Sequence, residues 1–289
     1  MMQNQKKSYI YAFVTVFLWS TVASAFKIGL DYYSPDLLLL ISSIVSTVFF
    51  FTLMLNHSKK NLYTKDNIIK SLFAGLLNPF LYYLILFKAY DMIPAQVAQP
   101  LNYTWIIVVT VLMSISNKKR LSIITISGLL ISFTGVVVIS AQGNASGKEI
   151  NIIGVGLALI SSVFWGFYWL INLKDTRQDV EKLFMNFFVG TIFISIYVLI
   201  FSDFKYSFEG TMAGIYIGLF EMGATFFVWL KALKYSEDTG KTGNIIYLTP
   251  FISLIFISLI LKEVISINSF LGLILIIGGI VITSRVKNI

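Results

Sequence analysis

The sequence predicts an all-α integral membrane protein of ten transmembrane helices, built as two inverted five-helix repeats with both termini cytoplasmic. Three observations predict it. The 289 residues are 57% hydrophobic and 12% charged with a mean hydropathy of +0.81, too apolar for a soluble domain. Ten runs approach the ~20 apolar residues that a spanning helix needs. The second half matches the first at an offset of 143 to 146 residues.

The first span, residues 9–29, carries Trp19 near its middle and closes on Lys27. The second covers 36–55. The third, 68–90, sets Ser71, Gly75, Asn78, Tyr82 and Ala89 on one helix face, and Pro79 predicts a freed carbonyl one turn back. The fourth, 94–115, opens on Gln96 and Gln99 and continues through Asn102 and Tyr103. The fifth, 121–140, holds Gly128 and Gly135; the sixth, 152–173, holds Trp165 and Trp169 and ends beside Lys174; the seventh covers 183–201. The eighth, 211–233, repeats the face of the third with Gly214, Gly218, Glu221, Thr225 and Ala232. The ninth, 243–261, is loosened at its start by Gly240 and Gly243 and carries Asn244 and Tyr247, and the tenth, 267–284, holds Gly272 and Gly279.

Charge orients these spans. With a cytoplasmic N-terminus, 17 of the 22 basic residues fall on inner segments, and only Lys27, Lys88, Lys148, Lys205 and Lys262 fall on outer ones. That split follows the positive-inside rule, and it is spread over the loops rather than gathered into a patch for nucleic acid. Lys6, Lys7, the apolar run and Ala23-Ser24-Ala25 imitate a secretory signal. Cleavage there would leave nine spans and destroy the repeat, so the segment is expected to stay as the first helix. The protein is thus expected in the cell membrane as a multi-pass chain.

The repeat divides the chain at residues 1–141 and 142–289. Gly128-Leu129, Gly135 and Val137 match Gly272-Leu273, Gly279 and Val281 at an offset of 144; Tyr103 matches Tyr247 at 144, Trp19 matches Trp165 at 146, and Asn78 matches Glu221 at 143. Five spans per repeat force the second copy to enter the membrane from the opposite side. Inverted repeats are a recurrent plan of secondary transporters, whose site lies near the midplane between the halves.

Glu221 is the one carboxylate in the middle of a span, about ten residues or ~15 Å from either end. A charge there costs roughly 2.5 to 3.5 kcal/mol on insertion scales. Three readings stand: it holds a cationic group, it exchanges a proton that drives transport, or it is a structural acid hydrogen-bonded to Asn78 or another helix. Trp19, Tyr82, Tyr103, Trp165, Trp169 and Tyr247 form an aromatic set suited to an organic amine or a hydrophobic amino acid. Asn78, Gln99, Asn102, Thr225 and Asn244 add polar groups. Lys27 and Lys88 are expected to snorkel at outer helix ends, and His57 to be solvated in a basic loop.

The residues also resemble the ten-helix EamA branch of the drug/metabolite transporter superfamily over nearly the whole chain. Leu18-Trp19-Ser20 with Phe26-Lys27 resembles the family's tryptophan, small residue and closing lysine. Tyr247-Leu248-Thr249-Pro250 with Leu261-Lys262-Glu263 is similar to its tyrosine-x-x-proline and terminal glutamate. The first half departs from the pattern, with Trp105-Ile106 and Lys118-Lys119 where proline and an acidic end are expected. The resemblance implies export of amino acids, other metabolites or drugs, or uptake of quaternary amines, along a path between spans 1, 3, 4, 6, 8 and 9, with 5 and 10 supporting it from outside.

Other classes fit poorly. One histidine, no cysteine and one deep acid leave no cluster for an enzyme, a metal or a cofactor. Gly240-Lys241-Thr242 resembles a phosphate loop, but Ser236 stands where its first glycine belongs. A channel filter and a nucleotide domain are both missing. The expectation is a secondary transporter of small organic metabolites, foremost an amino-acid-like exporter working by alternating access, with organic cations or drugs held by Glu221 as the alternative. Its partners are then a small-molecule substrate, the bilayer, and a coupling proton or counter-substrate.

Overall fold

Side-chain caps start five of the ten helices. Asn4, Thr64, Ser122, Asn151 and Ser207 each accept a hydrogen bond from a backbone N–H two or three residues on, and Pro35 supplies the first residue of another helix. The computed structural model describes residues 4–55, 64–116, 118, 121–141, 150–237 and 239–284. His57, Arg285, Lys287 and the junction at residue 142 lie outside them. The helices are α1 (Gln5–Leu30), α2 (Pro35–Met54), α3 (Lys65–Met92), α4 (Ala95–Ser116), α5 (Ile123–Ser140), α6 (Ile152–Lys174), α7 (Asp179–Phe201), α8 (Phe208–Tyr235), α9 (Thr242–Leu261) and α10 (Ile267–Ser284). Among the described residues no strand occurs, nine helices are long and apolar enough to cross a bilayer, and α10 is slightly shorter.

The burial pattern is that of a chain solvated by lipid. Phe13, Phe17, Leu199 and Phe201 are exposed, whereas Ser20, Ser42, Ser43 and Ser46 are buried. Those serines return their hydroxyls to carbonyls three or four residues back, as Ser20 Oγ does to Val16 O at 2.6 Å. Small residues then let backbones approach, because lipid supplies no hydrophobic drive between helices. The closest pair is α5 with α10. A Cβ on Gly135 would stand 2.6 Å from Gly272 O, Gly128 meets Gly279 in the same way, and Ser132 Oγ donates to Ile276 O at 2.9 Å between them. Helices α2 and α7 meet similarly, with Thr47 Oγ1 and Thr191 Oγ1 2.9 Å apart.

Two groups of helices remain between these pairs. One holds α1, the second half of α8 and α9; the other holds α3, α4 and α6. Four of these helices are interrupted. Asn78 of α3 leaves the helical region (φ −147°, ψ 122°), α4 turns at Tyr103–Thr104, α8 turns at Glu221–Gly223, and α9 tightens into a 3₁₀ turn at Ile245–Leu248. The breaks in α3 and α8 coincide with the matched pair Asn78 and Glu221, and those in α4 and α9 with the matched pair Tyr103 and Tyr247. Irregular backbone inside a membrane is tolerated where protein or a cavity surrounds it.

Candidate functional site

The break in α8 builds the site. Its first segment, Phe208–Phe220, stops at Glu221, and the chain resumes as helix at Ala224. A Cβ on Gly223 would stand 2.8 Å from Gly218 O, so the turn requires glycine there. Thr225 Oγ1 donates to the Phe220 carbonyl that the break frees, and Trp19 Nε1 donates to Glu221 O at 3.4 Å. The Glu221 side chain accepts from the Tyr83 hydroxyl, 2.9 Å from Oε1. Glu221 is therefore bonded to Tyr83 rather than to Asn78, which lies behind the wall of α3 beside Tyr168.

Glu221 lines a cavity enclosing about 660 Å³ of empty space, part of it at the mouth. The cavity walls come from α1, α3, α4, α6, α8 and α9, and neither α5 nor α10 contributes. All five tryptophans of the chain, Trp19, Trp105, Trp165, Trp169 and Trp229, line it. Trp165 stacks on Tyr82 at 4.5 Å between centroids, and Trp105 lies parallel to Trp169 at 6.2 Å. Two amides stand among the rings: Asn102 accepts from the Tyr82 hydroxyl at 3.2 Å and donates to Ser161 Oγ at 3.2 Å, and Gln99 Oε1 accepts from the Tyr90 hydroxyl at 2.5 Å. The Trp169 indole N–H has no partner among the described residues. Glu221 is the one charged side chain in the lining.

Eight of the twelve residues expected from sequence thus meet here: Glu221, Trp19, Tyr82, Gln99, Asn102, Tyr103, Trp165 and Trp169. Asn78, Thr225, Asn244 and Tyr247 lie off the lining. Asn78 belongs to a separate polar cluster, and Thr225 serves the broken backbone. Asn244 ends the helical segment before the 3₁₀ turn and is exposed; within the turn, where each residue advances by about 120° instead of 100°, Ile246 lines the cavity and Tyr247 packs into the apolar cluster of Trp229. Sequence reasoning missed Tyr83, Tyr90, Trp105 and Trp229. Trp229 had a signal, standing eight residues beyond Glu221 on the face shared with Thr225.

The two ends of the cavity differ. At the face remote from the start of α1, Lys27 Nζ donates to Tyr90 O at 2.6 Å and Ile93 O at 3.2 Å, joining the two helix groups; Lys27 caps a helix end rather than snorkelling. There too, Glu263 accepts from the N–H groups of Ala95 (3.0 Å) and Gln96 (3.2 Å) at the start of α4. At the terminal face, where α1 begins, Lys174 bonds instead to Ser116 within one group, at 2.9 Å. A narrow crevice lies there, lined by Asn172, Lys182, Leu183, Phe226 and Leu230, and shares Trp169 and Trp229 with the cavity.

The model of the EamA-like transporter family matches residues 6–141 and 152–285. The uncharacterized transporter YoaV of Bacillus subtilis (strain 168) is 23% identical over 91% of both chains, and the uncharacterized transporter YvbV of the same organism 26% identical over 72% of this chain and 69% of its own. An uncharacterized transporter of Archaeoglobus fulgidus is 24% identical over 96% of this chain and 99% of its own. One crystal structure of a protein superposes with a TM-score of 0.67 over 96% of both chains at 18% identity, a likeness of fold alone. Ten apolar helices, an aromatic cavity with one carboxylate between them and a family match along both halves together place this chain as a multi-pass membrane protein that belongs to the EamA-like transporter family.

Proposed function

We propose that the chain is a secondary transporter of the cell membrane that carries small organic cations through the Glu221 cavity by alternating access, in exchange for protons. The observation that carries the reading is the lining: five tryptophans, three tyrosines and one carboxylate, with no cationic side chain among them. Ring faces and a lone carboxylate attract an ammonium group, and a desolvated cation–π contact adds about 2 kcal/mol. Glu221 holds either the cargo cation or a proton, and an inward proton exchanged for an outward cation gives export.

The architecture proposed is two inverted repeats, 1–141 and 142–289, with both termini cytoplasmic. Its support is the reciprocity of contacts. Gly128 with Gly279 and Gly135 with Gly272 exchange places under the 144-residue offset, and Thr47 with Thr191 and Ser132 with Ile276 are self-paired by it. A pseudo-twofold axis in the membrane plane produces such pairing. On this orientation the crevice faces the cytoplasm and the Lys27 and Glu263 contacts close the outside.

Amino-acid-like cargo is the second reading, favoured by the unpaired Trp169 N–H and the two amides, which suit a carboxylate. It ranks below the first because a substrate carboxylate meets no positive group in the lining and is repelled by Glu221. Reconstituted protein loaded with tyramine, phenyltrimethylammonium, tyrosine and phenylalanine separates the two. Transport of the amines with the amino acids inert supports the first reading; transport of the amino acids alone refutes it.

A further inference from the structure

Behind the cavity wall lies a second polar site that the transport reading leaves unused. Asn78 and Tyr168 are both 0% exposed, and Asn78 Oδ1, Asn78 Nδ2 and the Tyr168 hydroxyl have no hydrogen-bond partner among the described residues. The hydroxyl faces the side chains of Asn186, Asn78 and Asn172 without closing a well-formed bond to any of them. Three helices, α3, α6 and α7, therefore turn neutral polar groups toward one buried place. Leaving such groups unpaired is costly because each has given up its bonds to water, and the usual remedy is an internal water with two to four polar partners. Asn78 supplies both a donor and an acceptor, and Tyr168 supplies both as well. A water suits this mixture better than a metal cation, because the Arg177 guanidinium reaches Asn186, with Nη2 3.5 Å from Oδ1.

The site lies between two ionisable pairs. Toward the middle of the membrane, Tyr83 donates to Glu221 but is itself 0% exposed and absent from the cavity lining. The hydrogen bond at Glu221 therefore leads away from the cargo, into the protein. Tyr83 packs edge-on against Trp165, and Tyr168 stacks on the same indole at 5.4 Å. Toward the terminal face, Asn186 leads to Arg177, which is paired with Asp175 at 2.6 Å and donates to Ser71 Oγ at 2.7 Å. The titratable groups that face Glu221 are Tyr82, Tyr83 and Tyr90 of α3 and Tyr103 of α4; those that face the polar site are Tyr168 of α6, Lys182 of α7, and Asp175 and Arg177 between those helices.

We propose that the Asn78–Tyr168–Asn186 site holds water and conducts the proton exchanged at Glu221 to the terminal face while cargo fills the cavity. This rests on the reading of Glu221 as the group that exchanges a proton for the cation. An aromatic cargo displaces water from the cavity, so a proton leaving Glu221 then needs a separate way out. Once Glu221 is protonated, the Tyr83 hydroxyl turns from Oε1 to a water, and the carboxyl proton passes to the Tyr83 oxygen as the Tyr83 proton passes to that water. Successive O–H exchange through the waters around Tyr168 delivers one proton to solvent beside Asp175. Tyr83 and each water gain one proton for each they lose, Glu221 is left as the carboxylate that the cargo cation meets, and the asparagines only hold the waters.

The test uses the full chain in proteoliposomes with ethidium as probe cation and a trapped pH dye. Tyr168→Phe removes one hydroxyl and keeps the ring stacked on Trp165. The expected result is a fall of tenfold or more in ethidium flux driven by a pH gradient and in the accompanying proton signal, with ethidium counterflow at equal pH within twofold of the unaltered protein. Counterflow moves no net proton and also reports correct folding. Equal loss in both assays makes Tyr168 structural and overturns the proposal, as does no loss in either. Flux of the unaltered protein that ignores the pH gradient instead removes the proton reading of Glu221, and the route falls with it. A high-resolution map is expected to show water within hydrogen-bond reach of Asn78 and Tyr168; a dry site refutes it.

Discussion

Glu221→Gln isolates the charge of the proposed site with little change in shape. The amide oxygen can still accept from Tyr83, whose hydroxyl stands 2.9 Å from Oε1, so the break in α8 keeps its support. What is lost is the attraction between a carboxylate and an ammonium group. At about 4 Å and an effective dielectric of about 20 that attraction is roughly 4 kcal/mol, and water at the cavity mouth reduces it. A remainder of about 2 to 4 kcal/mol corresponds to a loss of roughly 30-fold to 1,000-fold in affinity. The cation–π part is untouched, because the five tryptophans stay in place. The same tryptophans supply the assay: no other tryptophan exists in the chain, so intrinsic fluorescence reports occupancy of the cavity. Phenyltrimethylammonium should lose affinity by that factor in the variant, while tert-butylbenzene, its neutral isostere, should bind both proteins alike. If the cation bound the variant within threefold of the unaltered protein, or both compounds weakened equally, the counter-charge role of Glu221 would be wrong.

Gly135→Ala should lower stability and spare binding: its Cβ would stand 2.6 Å from Gly272 O, α5 and α10 must part by close to an ångström, and overpacking of this kind costs about 1–3 kcal/mol, measurable as earlier thermal unfolding in detergent at unchanged ligand affinity. Asp175→Asn should destabilise by about 3 kcal/mol, since it strands the nearly buried Arg177 without its countercharge. Burial alone would raise the Asp175 carboxyl, but the hydrogen bonds and charge of Arg177 outweigh it and hold the group below its ordinary value. Its contribution is therefore complete above the ordinary carboxylate range and is lost as pH falls through the lowered value; the melting temperature of the unaltered protein should drop there by an increment the variant lacks. Lys27→Met removes the donor to Tyr90 O and Ile93 O and should loosen the face remote from the termini. Because the chain has no cysteine, a single Leu86→Cys reporter in the cavity should then react severalfold faster with an impermeant maleimide added from that side; an unchanged rate would show that Lys27 does not close it.

Apolar runs were enough to place all ten helices, because a lipid-facing helix shows its length in uninterrupted hydrophobicity. The midplane residues of α1 and α6 were legible too: Trp19, Trp165 and Trp169 sit on helices that run without a break, where spacing along the chain translates directly into direction in space. Legibility failed where helices are interrupted. Asn78 and Tyr82 share a face in an ideal helix, yet the non-helical backbone at Asn78 turns the two apart, one behind the wall and one into the cavity. In α9 the expected Asn244 and Tyr247, which share a face in an ideal helix, both miss the cavity, and Ile246 of the 3₁₀ turn lines it instead. Tyr83 was hidden for another reason. Its importance lies in one hydrogen bond to a residue 138 positions away, which no local pattern announces. Trp105 read as a departure from a family pattern, although it supplies part of the aromatic wall.

The breaks in α3 and α8, at the sequence-matched positions Asn78 and Glu221, differ in what their side chains meet. A span interrupted in lipid is tolerable only when the freed groups find partners. In α8 they do: Thr225 takes the Phe220 carbonyl, Trp19 takes that of Glu221, and the side chain at the break is left to face the cavity. In α3 the side chain at the break faces inward with both of its polar atoms unpaired, next to a tyrosine hydroxyl in the same condition. If packing alone had kept a polar residue at each break, both would be satisfied by neighbouring helices, and an apolar residue would have served α3 better. One break instead offers a charge to whatever enters the cavity, and the other offers neutral donors and acceptors to whatever fills a closed site. That division suits a carrier in which cargo and proton meet at one carboxylate and leave it by different ways.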